Sequence, residues 1–439
     1  MNTQIGIQLR PKISLYLLLV LIVTWLGWLF DGMDAMLYNV VMVPAVSELL
    51  GKGVDASKIG YYGGIIMSIY LIGAAFGGIF FGIVSDYIGR VKTLLITILV
   101  YSLMTGLSGF AHNWHQLAFF RFLTGLGVGG EWAAGAALLA ETWPDELRPF
   151  AGSFMQMAWP VGFFLAALIN YLVGPMGWRV VFWVGALPAL ITFFIRISVK
   201  EPEKWLAVRQ KRLEAKQKMF AIEQEEKEYT TFTFFQLFSK KYIKSTIIGF
   251  LIAFVALFGL YGSTNWIPST INMLAKEAGL AEAAIKARVL YATMLQNVGA
   301  IIGALIFGPI AYKWGRRTAF FVFFLGNLLI APPIYYLAKN YVLFLILVPL
   351  IGFFANGVFS GLPIYLPELF PTSIRSTGQG TCYNGARIIS AISPFLTGIL
   401  ISWFHGNFAY ASATVCSIYL VGIITLFFAR ETKNQPLPD

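Results

Sequence analysis

Twelve separate stretches of this chain are long and apolar enough to cross a hydrocarbon core, which takes about 20 helical residues. They fall near 14–47, 58–84, 92–111, 115–141, 149–173, 178–199, 244–271, 287–311, 317–337, 341–366, 376–402 and 408–429. In lipid every backbone N–H and C=O must be satisfied within the protein, so only helices and closed barrels can span. Runs of this length predict helices, since barrel strands would need only about 10 alternating residues each. Composition agrees: 58% of the 439 residues are apolar and 12% are charged, against about 25% charged in soluble domains. The chain reads as an all-α membrane protein with 12 transmembrane helices. Its first run far exceeds the apolar region of a secretory signal and lacks a small-residue cleavage site, so it is expected to remain as a helix.

The formal charge of +11 would suit a nucleic-acid partner if it were clustered. Its position argues otherwise. On the side of the N-terminus, the C-terminus and the loops after segments 2, 4, 6, 8 and 10 lie 22 of the 32 Lys and Arg residues. The opposite side holds 7 (Lys52, Lys58, Arg179, Lys276, Lys286, Arg288 and Lys339), and Arg121, Arg196 and Arg387 sit within segments. Lys and Arg resist translocation, so the rich side is expected to be cytoplasmic, with both termini inside a multi-pass cell membrane. Arg196, near a cytoplasmic end, reads as interfacial. Cys382 and Cys416 form no Cys-x-x-Cys pair and no Cys/His cluster, so neither a disulfide nor a metal site is expected. Gly73/Gly77/Gly78/Gly82, Gly125/Gly129 and Gly299/Gly303 follow no strand and read as helix-packing surfaces rather than phosphate cradles. No cofactor and no enzymatic activity are expected.

The two halves repeat each other. "GIVSDYIGRVK" at 82–92 aligns with "GPIAYKWGRRT" at 308–318, and "ETWPDELRPFAG" at 141–152 with "ELFPTSIRSTGQG" at 368–380. Gly82/Gly308, Gly89/Gly315 and Arg90/Arg316 are offset by 226; Gly125/Gly352, Glu141/Glu368 and Arg148/Arg375 by 227. Two pseudo-symmetric six-helix bundles follow, over 1–199 and 244–439, joined by a polar linker at 200–243 that reads as amphipathic helix at the interface. A site is expected between the bundles near half-depth.

Gly82-x-x-x-Asp86-x-x-Gly89-Arg90-x-Lys92 resembles the signature of the major facilitator superfamily, and helix count, second copy and central linker agree with it over essentially the whole chain. The resemblance implies a cytoplasmic latch in this loop. Asp86 can accept hydrogen bonds from a helix N-terminus in the other half, near Arg375; Arg90 can pair with Glu141, and Arg316 with Glu368. Tyr312 stands where the first copy has Asp86, so the latch should be asymmetric. Gly82, Asp86, Gly89, Arg90, Glu141, Arg148, Gly308, Gly315, Arg316, Glu368 and Arg375 are the gating candidates. "KEPEKWL" at 200–206 and "RETKNQPL" at 430–437 are similar to elements of sugar and organic-acid porters. Asp-Gly-x-Asp at 31–34 is similar to the first-helix motif of aromatic-acid:proton symporters, and "RFLTGLGVGGEWAAGAALLAETWP" at 121–144 resembles the fourth helix of metabolite and sialate/lactate-type branches.

A carboxylate near the bilayer centre costs roughly 2.5–3.5 kcal/mol even on a lenient scale. Asp31 and Asp34, at i and i+3, project from overlapping faces of one helix. They must therefore face a polar cavity, carry a proton, or anchor a bend at Gly32. Two close carboxylates in low dielectric cannot both stay ionised, which suits proton coupling; Glu131, deeper in segment 4, joins them as a candidate. Arg121 is a substrate-binding and lining candidate that can pair with an aspartate of segment 1 in the empty protein, or it can snorkel outward. Arg387 lies about 12 residues into segment 11, where an unpaired guanidinium is not tolerated, so it holds either a substrate carboxylate or a structural ion pair. Arg387 and the two aspartates are expected to share one cavity. Tyr38, Asn39, Gln156, Trp159, Tyr261, Asn265, Gln296, Asn297, Asn356, Tyr383 and Asn384 are further lining candidates, each equally explicable as a helix–helix hydrogen bond.

These features point to a monomeric proton-coupled importer of a small organic acid, with carboxylate, protons and the bilayer as its partners and no nucleic acid. A sugar or polyol porter is the alternative, and a non-transporting membrane sensor is a more distant one.

Overall fold

The computed structural model describes residues 13–51, 53–217, 227–337 and 339–438. Among them are twelve helices long and apolar enough to cross a membrane: α1 (Leu15–Leu50), α2 (Ala56–Ile88), α3 (Arg90–Ser108), α4 (Trp114–Thr142), α5 (Arg148–Met176), α6 (Trp178–Arg196), α7 (Ile243–Glu277), α8 (Glu282–Trp314), α9 (Arg316–Leu337), α10 (Tyr341–Leu369), α11 (Arg375–Trp403) and α12 (Tyr410–Phe428). No strand occurs among the described residues. The two largest departures from the expected bounds flank one loop. α7 runs six residues past 271 and α8 starts five before 287, because amphipathic turns prolong both helices beyond the apolar run that marks them in the sequence.

Local chemistry sets where these helices begin. Ser14, Asp55, Asn113 and Asn340 each cap an N-terminus by accepting a main-chain N–H three residues on. α3 and α9 have no such neighbour. Their N-terminal amides are capped by carboxylates from remote segments: Glu201 accepts from Arg90, Val91 and Lys92 N–H at 2.8, 3.2 and 3.1 Å, and Glu431 from Arg316 and Arg317 at 2.9 and 3.1 Å. Gly89 (φ 114°) and Gly315 (φ 99°) make the turns before them, in a left-handed region that disfavours side chains. The two porter-like elements therefore do one job in both halves.

Helix contact inside each half rests on matched glycines. A methyl on Gly77 of α2 would strike the Leu126 carbonyl of α4, and one on Gly303 of α8 would strike the Phe353 carbonyl of α10. Gly125 and Gly352 return the contact from α4 and α10, against the Tyr70 and Gln296 carbonyls. Backbones approach this closely only where side chains are absent. The halves meet along two seams, α2 with α11 and α5 with α8. Gly82 faces the Ser376 carbonyl in the first and Gly308 the Pro149 carbonyl in the second.

The linker forms a helix over Glu203–Gln217 and short turns at Lys227–Thr230 and Thr233–Gln236; residues 218–226 of the expected linker, residues 1–12 of the expected first bundle and Lys52 lie outside the described residues. The helix bridges the halves as well as joining them. Arg212 donates to the Asp86 carbonyl and, at 2.7 Å, to the Ser373 carbonyl, while Trp205 Nε1 donates to Asp86 O at 3.2 Å.

Candidate functional site

Three layers stack along the axis between the halves. The first closes the linker side. Asp86, at the end of α2, accepts the Ser376 N–H (3.2 Å), the Thr377 N–H (2.8 Å) and the Thr377 hydroxyl (2.7 Å), all at the first turn of α11. Unpaired amides and the helix dipole there favour an anion. Arg90 pairs with Asp86 (2.9 Å) and Glu141 (2.7 Å) and donates to the Thr372 carbonyl across the seam (2.9 Å). Arg316 pairs with Glu368 at 2.8 Å in the second half.

Each glutamate also takes an arginine from the opposite half: Arg375 reaches Glu141 at 2.7 Å and Arg148 reaches Glu368 at 2.9 Å. The repeat at offset 227 marked both arginines, but only the packed fold reveals that they cross. The asymmetry at Tyr312 is visible too: its ring rests beside Phe150 on the α5–α8 seam, 5.1 Å between centroids, with no counterpart of the Asp86 hydrogen bonds among the described residues.

The second layer is aromatic. Trp28 of α1 lies 4.6 Å from Trp159 of α5 and 6.4 Å from Trp132 of α4, and Trp132 stacks on Tyr383 of α11 at 4.3 Å. These rings join both halves above the ionic layer.

Above them lies a cavity of about 270 Å³ between the halves. Arg387, Tyr383, Tyr261, Asn356, Gln156, Trp159 and Asn39 line it, together with Trp28, Tyr70 and Phe359. The Arg387 guanidinium lies 4.8 Å from the Tyr383 ring centre. No carboxylate among the described residues is within ion-pair distance of it, so the structural ion pair open to it from sequence is absent here. Gln156 Oε1, Asn356 Nδ2 and Trp28 Nε1 are buried without hydrogen-bond partners. A cavity with three unspent polar groups, whose one charged lining residue among the described residues is a guanidinium without a carboxylate partner, fits a small anion with an apolar body.

Six lining candidates lie elsewhere. Tyr38 is buried and donates to the Gly63 carbonyl at 2.9 Å. Asn297 and Asn384 each donate to the carbonyl four residues back, Thr293 at 2.9 Å and Gly380 at 3.0 Å. Asn265 is exposed at the break within α7, and Gln296 presents its backbone to Gly352 rather than its amide to the cavity. Arg121 is the sixth. It pairs with Asp34 at 3.0 Å and donates to Thr105, Thr124 and Ser108, with Phe182 against its face at 4.9 Å.

The helix-1 acids do not share the cavity with Arg387. Asp31 and Asp34 turn into the first bundle, toward α3, α4 and α6, and neither lines the void. Tyr70 stands between: it lines the cavity and its ring centre is 6.0 Å from the Arg121 guanidinium. Tyr70 carries no distinguishing signal in the sequence, because a tyrosine among apolar neighbours reads as packing. Arg196 is also corrected. It is fully buried rather than interfacial, ion-paired with Glu131, and donates to the Leu94 carbonyl at 3.1 Å. Gly27 makes that position possible, since any side chain there would collide with both members of the pair. Asp31 lies between the two buried pairs, fully buried, with neither carboxyl oxygen hydrogen-bonded.

Comparison with known proteins places this architecture. The family model described as "Sugar (and other) transporter" matches residues 20–439. The chain is 30% identical to the cis,cis-muconate transport protein of Acinetobacter baylyi, over 94% of each chain. It is likewise 30% identical to a sialic acid transporter of Escherichia coli, over 87% of this chain and 86% of that one. Among solved structures, that of the major facilitator superfamily proton:xylose symporter XylE superposes with a TM-score of 0.75 at 19% identity, covering 96% of this chain and 98% of that one. The chain therefore belongs to the sugar (and other) transporter family of the major facilitator superfamily, and is a multi-pass membrane transporter rather than an enzyme.

Proposed function

We propose that this protein imports a small organic acid together with protons by alternating access, as a monomer, with its linker side and both termini in the cytoplasm. The single observation that carries the reading is Arg387: a half-buried guanidinium on the wall of a cavity between the halves, with no protein carboxylate among the described residues within ion-pair distance. A bare charge in low dielectric is expensive, and a bound carboxylate relieves that cost. The aromatic lining and the volume of about 270 Å³ suit a compact, flat body behind the carboxylate. Relatives that carry muconate and sialic acid support the substrate class.

In this arrangement the cytoplasmic gate is shut by the paired arginines and glutamates, and the cavity awaits substrate from outside. The acid neutralises Arg387. A proton on the helix-1 acids neutralises the first bundle, where Asp34 is held by Arg121 and Asp31 is unpartnered. Tyr70, touching both regions, couples cavity occupancy to the buried pair. With both sites neutral, occlusion costs least and the halves can rock.

The test is uptake into vesicles of lactate, benzoate, muconate, sialate and xylose, with and without an inward proton gradient. The proposal expects at least one acid, and not xylose, to be concentrated by the gradient, and Asp34→Asn to abolish that concentration. Acid uptake indifferent to the gradient refutes proton coupling; uptake of xylose alone refutes the acid assignment.

A further inference from the structure

Two buried acids and one arginine below the cavity have no place in the substrate site. Glu131 of α4 and Arg196 of α6 form an ion pair packed against Gly27 of α1, with side chains 3% and 1% exposed. One turn farther along the same face of α1 lies Asp31, whose two carboxyl oxygens are buried and unpartnered. Arg196 Nε is a buried donor that is likewise unpartnered. An unmatched donor and two unmatched acceptors thus lie in one buried cluster, on opposite sides of a single turn.

The charges around Asp31 come from every helix packed on it. Asp34 lies on α1 itself, Glu131 on α4, Arg196 on α6 and Arg387 on α11, while Tyr70 of α2 and Tyr101 of α3 complete the ring of titratable groups. α5 meets α1 here through the Trp159 backbone at Gly32. Of the two arginines, Arg196 is the one held by a carboxylate that could itself take a proton, so releasing it leaves no new bare charge.

We propose that Arg196 is a shared counter-ion that switches from Glu131 to Asp31, and that this exchange moves the transported proton from the cavity level toward the cytoplasm. The step balances. An Asp31 O–H bond breaks and a Glu131 O–H bond forms, while Arg196 gives up the Glu131 carboxylate and takes the Asp31 carboxylate. One carboxylate, one carboxylic acid and one guanidinium are present before and after, so no net charge is created in the low-dielectric interior. Gly27 leaves the guanidinium room to move along α1 between the two acids. Arg196 is a positioning residue: it touches neither the substrate nor the cavity.

This inference rests on proton coupling, and the test separates the two. Gradient-driven over gradient-free uptake of the acid from the above panel that the wild type concentrates is measured across external pH. Arg196→Gln is expected to lower this ratio about tenfold or more at every pH, with partial rescue in Arg196→Lys, which keeps the cation. A ratio equal to wild type, or one recovered at a displaced pH optimum, overturns the switch and identifies Arg196 as an electrostatic bystander. A wild type that ignores the gradient sinks the parent proposal instead. Infrared spectroscopy of the full purified chain gives a second readout that needs no substrate and does not depend on Arg196→Gln folding. The protonated-carboxyl band lost in Asp31→Asn should be missing at neutral pH in Glu131→Gln, because Arg196 is then free to hold Asp31 as its carboxylate. A band that persists unchanged in Glu131→Gln overturns the switch.

Discussion

Replacing Asp86 by Asn tests the gate proposed on the linker side. In this conformation the carboxylate accepts two main-chain N–H groups and one hydroxyl from α11 and an N–H from Arg90, all within 3.2 Å and fully buried. An amide of the same shape keeps one acceptor oxygen and turns an NH₂ group toward donors. Breaking a buried charged cluster by removing one partner costs about 3 kcal/mol or more. The cross-seam contacts exist only while this side is closed, so that part of the penalty falls on the closed state alone. At about 1.4 kcal/mol per factor of ten, the ratio of closed to open should fall by up to about 100-fold. Spin labels at Lys92 and Lys313, exposed at the linker-side ends of the two halves, report it by double electron–electron resonance after the buried Cys382 and Cys416 are replaced. Asp86→Asn should shift the label distance to a longer population. An unaltered distribution, with the variant folded, would refute the assignment of Asp86 to the gate.

Two further outcomes follow from packing and capping. Gly129→Leu drives a side chain into the Ala74 carbonyl where α4 crosses α2; purified material should lose its monodisperse peak in size-exclusion chromatography, whereas Gly60→Leu, at a position with open space, should not. Glu201→Gln removes the anionic cap from three amides of α3 and should cost about 1 kcal/mol, read as a lowered melting temperature in detergent; a Tm equal to wild type would argue against the capping role.

Much of the fold was legible because lipid leaves few options. Twelve long apolar runs dictated twelve helices, and the duplicated Gly-Arg and Glu-Arg positions located matching turns in both halves. The within-half pairs Arg90–Glu141 and Arg316–Glu368 could be written from the motif. The crossing pairs Arg375–Glu141 and Arg148–Glu368 could not, because they depend on how the halves dock. Side-chain direction was the weakest inference. Asn39, Asn297 and Asn384 all bond the carbonyl one turn back, an option open to any helical asparagine, yet only Asn39 also lines the cavity, so polarity alone could not separate the lining asparagines Asn39 and Asn356 from the other two. Arg196 was misplaced for a related reason: its position near a helix end suggests an interface, and only the bare backbone of Gly27, on another helix, creates its buried berth. Asp31 and Asp34 were rightly singled out as costly, but the spacing that puts them on one side of α1 does not say whether that side meets the cavity or the bundle.

The central claim is that Arg387 holds the transported carboxylate, and direct binding tests it most plainly. Isothermal titration of the purified chain with the acid that vesicles concentrate should give affinity about 10–150-fold weaker in Arg387→Gln, the loss expected for about 1.5–3 kcal/mol of charge-assisted hydrogen bonding. Equal affinity in wild type and Arg387→Gln would contradict the account.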